Sequence, residues 1–496
     1  MPSARFSKIS QTNSYTHKTL KNPVPLSPSQ NPPLWVSLTP IILLLATLVG
    51  IIVVSGPDAI NSYSSIALLG AAALALAMGA MCGHCRRDGL LHGWRTAARQ
   101  ILPAVPLLAL ISLVSTTWML SGLVPTLIDY GLECLNPRFF LLTVCGVCAV
   151  VSVLTGSSWT TIATIGVAFM GIGTAMGYSE GWIAGAIISG AYFGDKISPL
   201  SDTTVVASSS CGVDLFTHIR YLFVTTVPSM AIALTVFTVV GLGFDSHNAA
   251  AVSQLPQLLH STFNITPWLL VIPVVTLTLI ALRVHTLITL SISTVLGVAA
   301  IYILQPQIAA DLNLAHALWA DTPFNTSSVA FNDLVSTSGF MGMVSTIELI
   351  LSAMVFGAAL IGTGMLRSIS QAFVKRLRRR TSIVGATVGS GLCLNMCTAD
   401  QYLSLIVGAN VYRNVYERFQ LEPRLLSRTL EDSVSVTSVL IPWNSCGVTQ
   451  SAVLGVPTLV YLPYCVFNYL SPLMSVAIAA LGYRIVRPTL SAPVAE

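Results

Sequence analysis

The sequence predicts an all-α, polytopic membrane protein with about 11–13 transmembrane helices and two internal repeats that contain re-entrant hairpins and broken helices. Three observations carry this prediction. Of 496 residues, 54% are hydrophobic and only 9% charged, whereas soluble domains carry about 25% charged residues. Apolar stretches of about 20 residues, the length that crosses a bilayer as a helix, recur along the chain. Small polar breakers interrupt some of these stretches at corresponding places in the two halves, the usual mark of a transporter binding site.

In chain order, residues 1–33 are polar and Pro/Ser-rich, with Arg5, Lys8, Lys18 and Lys21, and read as a flexible cytoplasmic tail. A transporter domain follows over 34–485, with a C-terminal tail at 486–496. Candidate spans lie near 34–55, 64–83, 101–122, 138–155, 159–177, 181–208, 220–243, 266–282, 284–304, 340–366, 381–395, 397–412, 430–453 and 456–483. Basic clusters set the topology. Arg86, Arg87, Arg95 and Arg99, then Lys375, Arg376, Arg378, Arg379 and Arg380, then Arg484 and Arg487, all read as cytoplasmic, as does the N-terminus. With a net charge of only +5, these clusters are topology signals and not a nucleic-acid surface.

Other classes are set aside in turn. The ten cysteines do not form a secreted disulfide pattern. Cys82 and Cys85 read as a juxtamembrane turn beside arginines in preference to a metal site. A phosphate-binding G-x-x-x-x-G-K-[ST] loop is absent, as is H-E-x-x-H, so neither an ATP-driven pump nor an enzyme is expected, and no cofactor.

The repeats span about 138–243 and about 381–483. The first runs from Thr155-Gly156-Ser157-Ser158-Trp159 through Gly194-Asp195-Lys196 to Ser210-Cys211-Gly212. The second runs from Ser390-Gly391 and Asn395-Met396-Cys397-Thr398 through Glu431-Asp432-Ser433 to Ser445-Cys446-Gly447. Gly156, Ser157 and Ser158, and the segment from Asn395 to Asp400 with Thr398, read as hairpin tips, each meeting a broken helix.

Carboxylates inside apolar segments are expensive, so each is a functional candidate. The set is Asp195, Asp202, Glu348, Asp400, Glu431 and Asp432. Around Pro199, the residues Asp195, Ser198, Ser201, Asp202 and Thr203 offer carboxylates, hydroxyls and freed carbonyls to a hard cation. This makes Asp195 and Asp202 the candidate Na⁺ ligands, with a buried Asp195–Lys196 pair as the structural alternative. Around Pro442, Asp432, Ser435, Thr437, Asn444 and Ser445 repeat the ingredients. Glu431 is instead expected to end a connector and pair with Arg424 or Arg428. His218, near Asp214 at a helix start, is expected at the surface. Desolvation disfavours the charged form of a carboxylate, so a group in a partly dry site holds either a proton or Na⁺, and competition plus alternating access gives exchange.

At these residues the sequence resembles the NhaC-type Na⁺/H⁺ antiporters. The resemblance covers nearly all of 34–483 and is strongest over Gly194-Asp195-Lys196-Ile197-Ser198-Pro199-Leu200-Ser201-Asp202-Thr203-Thr204. Trp118 to Pro125, Thr155 to Thr161, Thr398-Ala399-Asp400-Gln401, Glu431-Asp432-Ser433 and Ile441-Pro442-Trp443-Asn444 support it. Val434, Leu440 and Ala163 stand where the family more often has Gly, Pro and Gly. The resemblance implies a bacterial inner-membrane transporter of Na⁺ and H⁺, related in fold to broken-hairpin elevator carriers. By analogy with those carriers a homodimer is expected. Relatives that exchange Na⁺ together with small organic anions or amino acids leave such a solute as the alternative cargo.

Overall fold

The computed structural model describes residues 32–483 apart from 56–58, 85–86, 103, 244–248, 283, 325, 327–330, 333–334 and 375–379. The N-terminal tail up to residue 31, the C-terminal tail, Cys85, Arg86 and the basic residues 375–379 and 484–487 therefore lie outside the described residues.

The described chain is helical throughout, with one isolated bridge between Thr322 and Thr337. In order the principal helices are α1 (Leu34–Ser55), α2 (Ala59–Met81), α3 (Arg87–Ile101), α4 (Ala104–Leu120), α5 (Leu123–Cys134) and α6 (Phe140–Thr155). Next come α7 (Ser158–Ala175), α8 (Glu180–Ile197), α9 (Asp202–Cys211), α10 (Leu215–Leu242), α11 (Ala249–Thr262), α12 (Val271–Ala281) and α13 (Thr286–Leu304). The chain closes with α14 (Val344–Gly362), α15 (Met365–Val374), α16 (Arg380–Thr398), α17 (Gln401–Arg418), α18 (Pro423–Leu430), α19 (Ser445–Leu454) and α20 (Val466–Leu481).

Among the described residues, seven helices are long and apolar enough to cross a membrane, or ten when three sharply bent pairs each count as one. The long helices α8, α16 and α17 fall outside that count because they carry polar and charged groups, and these are the helices that build the site. Protein, not lipid, covers most of their surfaces.

The two repeats share one device. In the first, α6 ends on Gly156 in the left-handed conformation (φ 67°), and Ser157 then caps α7 by accepting from the Thr160 amide at 3.2 Å. In the second, α16 runs through Thr398, Ala399 takes the left-handed conformation (φ 55°), and Asp400 caps α17 through the Leu403 amide at 2.8 Å. Each hairpin is followed by a broken helix. Helix α8 stops before Pro199, and Ser201 caps the half-helix α9. Helix α18 continues through a wide π turn, Glu431–Ser435, and a tight turn, Ser438–Leu440, to Pro442, and Asn444 caps the half-helix α19. The expected span at 430–453 is thus two helical pieces on either side of a break. The two Ser-Cys-Gly strings are not equivalent: Cys211 ends α9, whereas Ser445 and Cys446 begin α19.

Packing crosses between the repeats reciprocally. Helix α9 lies on α17, α19 lies on the π turn Ile162–Gly166 within α7, and the long helices α10 and α20 pack together. A separate apolar cluster from α1, α2, α14 and α15, including Leu44, Leu68, Phe356 and Leu366, also takes Leu394, Cys397, Ala399 and Trp443. This seats the second hairpin tip and its break.

Helices α6 and α8 pack closely, with Gly190 and Gly194 facing the carbonyls of Cys145 and Ala149. A Cβ at Gly194 would fall inside van der Waals contact with Ala149 O, Ser152 and Val153. Gly194→Val is therefore expected to cost about 1–3 kcal/mol or more through overpacking. The expected readout is loss of the monodisperse peak in size-exclusion chromatography. A wild-type profile and melting temperature would refute this packing.

Candidate ion site at the helix breaks

Asp195 sits in the last turn of α8 and is buried. The Ser158 hydroxyl donates to its Oδ2 at 2.7 Å, and the Ser158 amide donates to the same oxygen at 3.2 Å. Ser158 opens α7, so this amide is one of the free N–H groups at a helix N-terminus and is suited to an anionic partner. Gly156 holds the tip against the break by packing on Leu200, where any Cβ would clash. Ser198 Oγ donates to Val153 O at 2.8 Å, tying the break to α6. Ser201 and Thr203 share a hydrogen bond at 2.9 Å, and Thr204 Oγ1 donates to the Lys196 carbonyl at 3.1 Å. Asp202 opens α9. It is exposed, within electrostatic range of Asp195, and makes no hydrogen bond or ion pair among the described residues.

The second tip meets its own break. The Ser445 amide donates to Ala399 O at 2.8 Å, Asn444 Nδ2 donates to Asn395 O at 3.2 Å, and Ser445 Oγ donates to Asp400 Oδ2 at 3.4 Å. Thr398 Oγ1 donates to Asp400 O at 2.9 Å. Asn395 Nδ2 donates to Val434 O at 2.7 Å, one of the carbonyls of the π turn, and to Thr437 Oγ1 at 3.3 Å. Thr437 in turn donates to Ser433 O, and Ser435 is buried in the same turn. Tyr402, at the start of α17, lies within electrostatic range of Asp195, Asp202, Asp400 and Cys446, so both tips and both breaks converge.

Asp432 has a different setting. Lys196 forms an ion pair with its Oδ1, to which Thr225 Oγ1 also donates at 2.9 Å and Ser471 Oγ at 3.1 Å. Arg428 Nε lies 3.8 Å from Oδ2, with its guanidinium over the Tyr221 ring at 4.5 Å. All three charged side chains are buried. Lys196 therefore neutralises Asp432 across the repeat interface, not its sequence neighbour Asp195. Glu431 is also corrected: it is fully buried, accepts from Thr203 Oγ1 at 3.1 Å, and ends no surface connector. His218 is buried as well, with Nδ1 sharing a hydrogen bond with Ser427 at 2.8 Å. Asp214 caps α10 through the Thr217 amide at 2.9 Å, which holds its carboxyl below the usual range. Glu348 is exposed and forms no ion pair among the described residues.

The charge pattern follows. Among the described residues, the buried lysine and arginine side chains, Lys196 and Arg428, both have Asp432 as their ion-pair partner. Asp195, Asp400 and Glu431 are buried with no protein cation within ion-pair distance among the described residues. Buried carboxylates without a counter-charge call for a proton or a metal cation. Sequence reading named Glu431 and Arg428 but set them on a connector, and it missed Thr225 and Ser471 as members of this region. Only the four-residue spacing of Arg428 and Asp432 was a signal.

A family model described as the Na⁺/H⁺ antiporter family matches residues 36–214 and 190–483. The chain belongs to the Na⁺/H⁺ antiporter family. Within it, the chain is 35% identical over 76% of its length to the Na⁺/H⁺ antiporter NhaC of Alkalihalophilus pseudofirmus, covering 81% of that protein. It is 34% identical to the malate-2H⁺/Na⁺-lactate antiporter of Bacillus subtilis, over 80% of this chain and 85% of that one. It is 33% identical to the arginine/ornithine antiporter ArcD of Halobacterium salinarum, over 80% of this chain and 82% of that one. Family membership makes the chain a multi-pass membrane transporter.

Proposed function

We propose that the protein exchanges Na⁺ for H⁺ across a bacterial inner membrane, with its N-terminus cytoplasmic, by alternating access to a site centred on Asp195. One observation carries this reading. Asp195 is buried at a helix break, held by Ser158, with hydroxyls and a second carboxylate nearby and no protein cation against it. Na⁺ takes oxygen ligands, and Asp195 with the Ser158 and Ser201 hydroxyls supplies them, while Asp202 stands at the exposed mouth. A proton on Asp195 removes the charge that holds Na⁺, so the two ions exclude each other there. Asp400 and Ser445 form the matching polar lining from the second repeat. Asp432, held by Lys196 and Arg428, joins the repeats, and we assign it no ion.

The test uses purified protein in proteoliposomes with a trapped pH dye. Added Na⁺ is expected to release H⁺ from an acid-loaded lumen, and K⁺ is not. Absence of any Na⁺-driven pH change, with or without added solute, would refute the proposal. Competition also fixes a pH dependence. The apparent KM for Na⁺ is expected to rise as pH falls, approaching about tenfold per pH unit on the acid side, because the ligand must lose its proton to bind metal. A KM that stays flat from alkaline to acid pH would show that the ions do not share a site.

A second reading has one observation of its own. A cavity of about 230 Å³ opens between α14 and α19, lined by residues that include Ser345, Thr346, Ser451 and Thr458 beside Pro442. A small organic anion or amino acid fits such a lining. Proton flux that begins only when such a solute accompanies Na⁺ would favour this reading.

A further inference from the structure

Helix α3 has three distinct faces. Gly89 and Gly93 lie against the backbone of Gly362 and Ala358 in α14, and Ala97 is buried beside them. Leu91, Trp94 and, one residue past the helix, Leu102 point outward with 43%, 47% and 49% of their surfaces exposed. Arg95 and Arg99, four residues apart and hence on one side, form the third face together with His92. Both arginines are exposed, and neither forms an ion pair among the described residues. The acid on this helix is Asp88, in its first turn.

At 15 residues, with three arginines, α3 is too short and too polar to span a bilayer. It follows α2 and precedes α4, both apolar, so it lies at the membrane surface. A helix with one apolar and one basic outer face rests in the plane of the headgroups, and Trp favours that level. Paired guanidinium forks match a phosphate better than any neutral headgroup group does.

We infer that α3 is a binding site for an anionic phospholipid. Trp94 and Leu91 lie among the upper acyl chains, and Arg95 and Arg99 together hold the headgroup phosphate. The lipid thereby steadies the packed pair of α3 and α14. Helix α3 packs along α14, and Gly357 of α14 packs against the Thr398 carbonyl at the base of the second hairpin tip. Transport by the full-length protein depends on that lipid.

The experiment compares wild type with R95Q/R99Q, full-length, in vesicles of a zwitterionic phospholipid alone and of the same lipid mixed with its phosphatidylglycerol counterpart. Bound lipid is counted in parallel by native mass spectrometry. Each arginine near an anionic surface strengthens binding about fivefold, so the double variant is expected to lose about 25-fold in affinity for phosphatidylglycerol. Wild-type transport is expected to rise several-fold when phosphatidylglycerol is present, and the variant's rate to stay the same in both vesicles. W94A, which removes the apolar anchor and leaves both charges, is expected to weaken lipid binding by less. Both arginines are exposed, so the melting temperature in detergent is expected to be unchanged. If the double variant binds phosphatidylglycerol as wild type does, or its transport responds equally to it, the site is not there. The lipid count is independent of transport and stands even if the cargo assignment fails.

Discussion

Asp195→Asn is expected to abolish Na⁺-driven proton movement while the protein keeps its fold. Asn has nearly the same volume, and both donors from Ser158 still find a carbonyl oxygen, so the tie between the first tip and α8 survives. What disappears is the charge. Na⁺ stripped of water in a buried site then faces only neutral oxygens, and removing one charge from such a pair costs about 3–5 kcal/mol, about two to four orders of magnitude in affinity. The amide also cannot carry the proton. The expected record is a monodisperse, normally melting protein whose vesicles show no Na⁺-dependent pH change. Exchange at the wild-type rate would remove Asp195 from the ion path. Two neighbouring variants grade the effect. Ser158→Ala removes the shorter of two hydrogen bonds to a charged group and is expected to weaken Na⁺ binding about tenfold or more. Asp202→Asn is expected to slow transport without abolishing it, because an exposed charge is screened by solvent.

How much of this was legible in the sequence depends on the kind of signal. Hydropathy located the long apolar helices such as α1, α2, α6, α10, α13 and α14, because the bilayer fixes helix length, but the expected 11–13 spans exceed the seven to ten found among the described residues. Proline and capping residues located the breaks at Pro199 and Pro442, because backbone geometry there is a local property. The second tip was legible only to within a few residues. Helix α16 continues through Asn395 and Thr398, and the turn falls on Ala399, a residue that rarely takes positive φ. Partners across the repeats were not legible. Lys196 follows Asp195 directly, yet successive helical residues point about 100° apart and do not face each other. Its partner Asp432 lies 236 positions away. Glu431 and His218 sit beside polar connectors in sequence, but the packing of α10 on α18 buries His218 and that of α9 on the π turn buries Glu431. A local reading cannot see this.

Lys196→Met is expected to be the most damaging single change outside the ion site, because it strands Asp432 in the interior. Arg428 remains, 3.8 Å away and with its guanidinium over Tyr221, which is too distant for a strong hydrogen bond. Breaking a buried pair by removing one partner costs about 3–5 kcal/mol, a large share of the stability of an ordinary domain. Lys196 belongs to α8 in the first repeat and Asp432 to the π turn in the second, so the loss also uncouples the two halves. A second substitution separates these effects. In K196M/D432N both charges are gone, and Thr225 and Ser471 still donate to the Asn oxygen that replaces Oδ1. Melting temperature is therefore expected to fall sharply in K196M and to recover most of the way in K196M/D432N, the non-additivity expected of directly interacting residues. Na⁺/H⁺ exchange is expected to recover with it, since Asp195 keeps its own partners in both variants. A double variant that regains its melting temperature but exchanges no Na⁺ would place Lys196 and Asp432 in the transport cycle itself, as charges that must move, and not in the frame that holds Asp195.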